Sequence, residues 1–137
     1  MSAAKPSMTI GTLAAVSGVH VETVRYYQRR GLVPEPVRPR GGVRRYGQDD
    51  AARLRFIKRA QAMGFTLAEI DALLVLRRRR SCRATRELAV AKLRVIDMRL
   101  RELRHLRLEV ARLVADCGAN TEDAHCPMID RLTQSGL

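Results

Sequence analysis

Three cysteines, Cys82, Cys117 and Cys126, carry the most specific chemistry in this 137-residue chain. Thiolates are soft ligands and select thiophilic metals such as Hg(II), Cd(II), Pb(II), Zn(II) or Cu(I). Cys82 and Cys117 are separated by 117 − 82 = 35 residues, or five heptads, so a coiled-coil helix between them carries both sulfurs on one stripe. Stepping back from Cys117 in threes and fours passes Val114, Val110, Arg107, Leu103, Leu100, Ile96, Leu93, Ala89 and Arg86, a seam broken only by the two arginines. At ~1.5 Å per residue, one helix would hold the two thiols roughly 52 Å apart, too far to share a ligand. Two copies paired antiparallel about Leu100 would instead bring Cys82 of one beside Cys117 of the other. Cys126, further along the chain, could then fold back to complete a three-thiolate pocket at each end of a homodimer.

Three sulfurs with no obligatory histidine argue against a four-coordinate structural zinc site. His125 is the one available fourth ligand; alone beside a cysteine it reads as unliganded, and His105 as a surface residue. A thiol-redox switch that pairs Cys117 with Cys126 without metal would use the same residues.

The bulk composition narrows the partners. With 26 Lys+Arg against 14 Asp+Glu, the chain has a net charge of +12 and a pI near 11.1. Such an excess draws a protein to a polyanion by phosphate neutralisation and counterion release. DNA, RNA and an anionic membrane surface are all candidates. The length suits a small domain plus an extended helix, not a large catalytic core. Paired catalytic carboxylates, a Cys-x-x-Cys motif and a Gly-rich nucleotide loop are absent from the sequence, so no enzyme is expected. Met1 to Ser7 lacks an apolar leader core and no run is long enough to span a bilayer, which predicts a cytoplasmic protein with no membrane partner. In that reducing compartment the thiols are expected free or metal-bound.

The elements that must position these groups can be read from periodicity and caps. Thr9 caps a helix with Ile10, Leu13, Ala14 and Val16 at helical spacing, and Gly18 ends it. A second helix runs from about Val19-His20 to Gly31, and two short helices about a Gly-containing turn are a helix-turn-helix signature. Pro34, Pro36, Pro39, Gly41 and Gly42 exclude helix from the segment that follows. With Arg38, Arg40, Arg44 and Arg45 they favour a basic turn or wing. A third helix opens at Asp49-Asp50 and carries Leu54, Ile57 and Ala60; a fourth opens on the capping box Thr66-Leu67-Ala68-Glu69 and buries Ile70, Leu73 and Leu74. Phe56 and Phe65 are assigned to the same core. The run Arg77 to Arg80 marks a junction, because four adjacent cations cannot all point inward. The long helix is expected over Thr85 to Asp116, and a last short helix begins at Pro127.

Fold class follows: all-α with a small β wing. The boundaries are a winged helix-turn-helix domain over 8–77, a junction over 78–84, a dimerisation coiled coil over 85–117, and a metal-binding loop with a C-terminal helix over 118–137. The second helix presents His20, Glu22, Thr23 and Arg25 towards its N-terminal end, as a major-groove reader would, with arginine suited to guanine. The wing arginines together with Tyr26, Tyr27 and Tyr46 are expected at phosphates, with core packing the alternative for the tyrosines and for Tyr27 above all.

Val21-Glu22-Thr23-Val24-Arg25-Tyr26-Tyr27-Gln28-Arg29-Arg30-Gly31-Leu32, Arg44-Arg45-Tyr46 and Met63-Gly64-Phe65-Thr66-Leu67-Ala68-Glu69-Ile70 closely resemble the mercury-resistance regulator (MerR) family. The resemblance covers nearly the whole chain. It implies a DNA-binding set of Thr12, His20, Glu22, Thr23, Arg25, Tyr26, Arg44, Arg45 and Tyr46. A cysteine at the start of the dimerisation helix resembles the family's divalent-metal sensors, since its monovalent-metal sensors carry serine there. Cys117 and Cys126, followed by Pro127, resemble the mercury sensors. The implied effector is Hg(II), one per site and two sites per dimer, held by Cys82 of one subunit and Cys117 and Cys126 of the other. Lead, cadmium or zinc are the alternative effectors. The resemblance further implies that the apo dimer represses on double-stranded promoter DNA. Metal then untwists an over-long spacer so that RNA polymerase engages. Two departures stand out: arginines at 77–80, where those sensors carry acidic or neutral residues, and Gly118 where a histidine is common.

Overall fold

The computed structural model describes residues 6–119 and 126–134; the loop containing His125 lies outside them. In chain order the helices are α1 (Ile10–Ser17), α2 (Val21–Arg29), α3 (Gln48–Ala62), α4 (Leu67–Arg79), α5 (Cys82–Ala119) and α6 (Pro127–Gln134). The chain divides into two compact units, Met1–Thr85 and Arg86–Leu137.

In the first unit α1, α3 and α4 start where a side chain bonds the backbone of the opening turn, whereas α2 opens at His20 with no side-chain cap. Thr9 Oγ1 accepts from Thr12 N, and Thr66 with Glu69 forms the expected reciprocal box, Thr66 N donating to Glu69 Oε1 at 2.8 Å and Glu69 N to Thr66 Oγ1 at 3.2 Å. Asp50 does the same for α3, accepting from Gly47 N at 2.9 Å. Between α1 and α2 the chain turns through Gly18 at φ +69°, where a Cβ would also stand 3.1 Å from Lys58 Nζ. That lysine donates to the Gly18 carbonyl at 2.7 Å and fastens the turn to α3.

The core is built where α3 meets α1 and α4, and α1 meets α2. Leu13 and Ala14, Val24, Leu54, Ile57 and Ala60, and Ile70, Leu73 and Leu74 are all buried, as their spacing requires. Four expected core residues fall short. Val16 is 50% exposed, and Ile10, Phe56 and Phe65 are half-buried. Phe56 lies at the rim, where the Arg77 guanidinium sits 5.5 Å from its ring centre.

The wing differs from expectation, for no strand forms among the described residues. Pro34, Pro36 and Pro39 have no N–H to give a ladder. A turn closed by Gly42 N to Pro39 O at 3.0 Å takes its place, and arginine side chains hold it: Arg38 Nε donates to Gly42 O and Arg44 Nε to Pro36 O, each at 3.0 Å. One antiparallel bridge, Met8 with Tyr46, ties the end of the segment back to the N-terminal side of α1.

The arginine run is mostly helical. Arg77, Arg78 and Arg79 form the last turn of α4, where cations favour the carbonyl end of the helix, and Arg80 caps it at φ 53°, ψ 38°. Ser81 immediately begins the next helix: its Oγ accepts from Ala84 N at 3.4 Å and its carbonyl from Thr85 N at 3.1 Å. Cys82 is therefore the first residue of α5, which starts three residues ahead of the expected Thr85 and continues past Gly118 to Ala119. No residue of α5 is buried.

Candidate functional site

Two constellations emerge, one in each unit. In the first, α2 and the basic turn enclose a cleft of about 450 Å³ whose lining includes Arg25, Gln28, Arg29, Arg38, Arg44 and Glu35. Arg25 is steadied on the helix by Glu22, one turn earlier, at 3.0 Å. Arg44 Nη2 lies 3.3 Å from Glu35 Oε1, which with the Pro36 carbonyl orients its guanidinium. Arg45 Nη1 donates to Ser7 O at 3.2 Å. Thr12 is exposed and within 3.1 Å of Thr9 Oγ1; His20 is exposed at the N-cap of α2; Thr23 is half-buried. These residues present exposed cations and hydroxyls beside the N-terminal half of a short helix, an arrangement suited to phosphates and base edges.

The tyrosines divide. Tyr26 is 41% exposed, but Tyr27 and Tyr46 are only 4% and 2% exposed. This corrects the expectation that Tyr46 reaches phosphates, and for Tyr27 it selects the alternative of core packing. A tyrosine ring gains by burial when its hydroxyl finds a partner. Here Tyr27 Oη donates to Gln61 Oε1 on α3, and Tyr46 Oη accepts from Gln28 Nε2 at 2.8 Å. Burial, and then Tyr26, push the Tyr27 hydroxyl above its ordinary pKa. Gln28 also donates to Pro34 O at 3.3 Å, so one amide ties α2 to both ends of the basic turn. Gln28, Arg29 and Glu35 were not among the expected site residues. Arg29 stands four residues after Arg25 on the same helix face, and that spacing was the available signal.

The second constellation is the thiol pair. Cys117, near the end of α5, and Cys126, just before α6, place their sulfurs 3.8 Å apart as free thiols. A disulfide bond is ~2.05 Å long, so the two are not bonded. The two sulfurs are close enough for one thiophilic ion to bind both, so Cys117 and Cys126 would hold such an ion as a soft-ligand pair. Donation from the Ile129 backbone N–H, then from Cys117 and from Met128 N–H, pulls the Cys126 thiol below its ordinary pKa, against burial and Asp130. Cys82 is an exposed thiol of the first unit. Among the described residues no group of three potential ligands is assembled within one chain, and His125 lies outside them.

Residues 8–75 match the MerR HTH family of regulatory proteins, and residues 51–113 match the MerR DNA-binding family. The mercuric resistance operon regulatory protein of Serratia marcescens is 42% identical over 126 residues, which is 92% of this chain and 88% of that protein. The chain belongs to the MerR family.

Two solved structures of MerR-family regulators agree in fold and covered length. PbrR691 of Ralstonia metallidurans CH34, in complex with lead(II), superposes with a TM-score of 0.79 at 35% identity, over 92% of this chain and 99% of that one. The MerR of Bacillus megaterium MB1, in complex with mercury(II), gives 0.68 at 38% identity over the same shares. This MerR-family protein is accordingly a metal-responsive transcriptional regulator that binds DNA, and not an enzyme. No helix among its described residues is long and apolar enough to cross a membrane.

Proposed function

We propose that this protein is a mercury(II)-responsive regulator of a mercury-resistance operon. It acts as a homodimer with two metal sites, each made by Cys82 of one subunit and Cys117 and Cys126 of the other. The observation that supports this most is the 3.8 Å sulfur pair at Cys117 and Cys126, near the far end of the helix that Cys82 opens. Two sulfurs from one chain leave room for a third, and the five-heptad register gives a reason to expect it from a partner. The mercuric regulators among its relatives favour Hg(II). Thr12, His20, Glu22, Thr23, Arg25, Tyr26, Arg44 and Arg45 carry the DNA contacts, with Tyr46 shaping the cleft from within the core.

In this reading the apo dimer holds an operator whose spacer is too long for RNA polymerase, and represses. A metal that supplies three bonds to sulfur links the two subunits, and the linkage shifts the DNA towards an untwisted form. Only about 1–3 kcal/mol of coupling is needed for a switch of tens-fold. Transcription from the cognate promoter, measured across Hg(II), Pb(II), Cd(II) and Zn(II), tests the metal: mercury is expected to act at the lowest concentration. Lead(II) is the second reading, because the lead-bound relative has the higher TM-score of the two. A response to lead or cadmium at lower concentration than to mercury selects that reading. Mixing Cys82→Ser with Cys117→Ser subunits tests the site. One end of each heterodimer keeps all three thiols, so metal binding returns, and its failure to return would falsify the shared site.

A further inference from the structure

Residues 77–86 hold six arginines and no acidic residue. Arg77 to Arg80 are exposed, and so is the Cys82 thiol two residues beyond them. The field of this run reaches other elements: after burial, the charges of Arg78 and Arg77 are what hold the Arg53 guanidinium on α3 below its usual pKa. The run stands outside α2 and the basic turn, at the end of α4 and the start of α5, within the residues 51–113 that match the MerR DNA-binding family. A sensor of a dipositive ion thus carries its exposed thiol within a stretch of chain charged with the same sign. Coulomb repulsion disfavours the bare cation there, while a complex of net negative charge is drawn in.

Soft metals prefer thiolate ligands, so among small thiols they travel as thiolate complexes. Bis(glutathionato)mercury(II) is net anionic at neutral pH, because each glutathione brings two carboxylates against one ammonium. We infer that Arg77 to Arg80, with Arg83, steer metal to Cys82 as an anionic thiolate complex in preference to a cationic one. This rests on the metal-sensing reading above. The exchange is redox-neutral. Each mercury–sulfur bond to glutathione that breaks is replaced by one to a protein sulfur, and the displaced protein thiol proton goes to the leaving thiolate. The third protein thiol binds with loss of its proton to solvent.

Stopped-flow ultraviolet absorbance of mercury–sulfur bonds in the full-length protein measures uptake from bis(glutathionato)mercury(II) and from the cationic bis(cysteamine) complex. At low ionic strength uptake from the anionic carrier is expected to be about tenfold faster or more, falling towards parity in high salt. Arg78→Gln/Arg79→Gln narrows the ratio several-fold, and Arg78→Lys/Arg79→Lys keeps it. Equal rates from both carriers in the wild type, or an unchanged ratio in the Gln variant, overturn the inference and leave mercury sensing standing. Uptake from neither carrier overturns both. Wild-type uptake by the Gln variant, with a shallower salt dependence of DNA binding, assigns the run to phosphates and likewise overturns it.

Discussion

The two compact units treat their apolar residues in opposite ways. In Met1–Thr85, Leu13, Val24, Leu54, Ile57 and Ile70 are wholly enclosed by their own chain; in Arg86–Leu137, Leu93, Leu100, Leu103, Val110 and Val114 stand 43% or more exposed. In the first unit α1 packs on α2 and α3, and α3 on α4, which is enough to surround a core. Among its described residues the second holds most of α5 and the 8-residue α6, too little to bury the stripe of so long a helix. Leu103, Leu106, Val110 and Val114 therefore line an open apolar trough. The contrast teaches that the first unit completes its core within one chain, whereas the apolar stripe of α5 stays uncovered among the described residues.

That contrast can be broken most forcefully on the seam. Leu103→Glu with Val110→Glu puts two unpaired carboxylates into the surface a partner would cover, each costing several kcal/mol there. Self-association by analytical ultracentrifugation is expected to weaken by about 100-fold or more, with the melting of the first unit unchanged. A double variant that still sediments as the wild type would sink the contrast. Next in size, Leu54→Ala opens a cavity in the first unit and costs about 2–5 kcal/mol by denaturant unfolding; a cost well under 1 kcal/mol would mean that core is not close-packed. Thr66→Ala removes the cap of α4 for about 1 kcal/mol, and it sharpens the comparison by loosening that unit locally while the dimer persists. Smallest is Ser17→Ala. Ser17 Oγ is buried with no hydrogen-bond partner, so its removal is expected to be neutral or to raise the melting temperature slightly, and a marked loss would reveal a hidden partner.

Much of this was legible in the residue pattern, for reasons that differ along the chain. The Thr66 box and the Gly18 stop are local, depending on groups within four residues of each other, and both stand where spacing put them. The apolar spacing of α3 and α4 also sufficed, because helical periodicity alone decides which side faces inward. The residue pattern misplaces Tyr46, and leaves Tyr27 undecided between phosphate and core, because a tyrosine's fate depends on a partner far along the chain. Gln28 is 18 residues from Tyr46, and Gln61 is 34 from Tyr27. The wing was overdrawn because basic residues and prolines mark a turn equally well whether or not strands flank it.

By itself the sequence determined the helices, the cation-rich reading head, and the heptad register that puts Cys82 and Cys117 on one stripe. These follow from periods, caps and charge, which act over a turn or two. Tertiary structure alone decided that the Cys117 and Cys126 sulfurs approach to 3.8 Å, that Gln28 braces the basic turn, and that Tyr46 faces inward. Those outcomes depend on where separate segments come to rest against one another, and no local period encodes that.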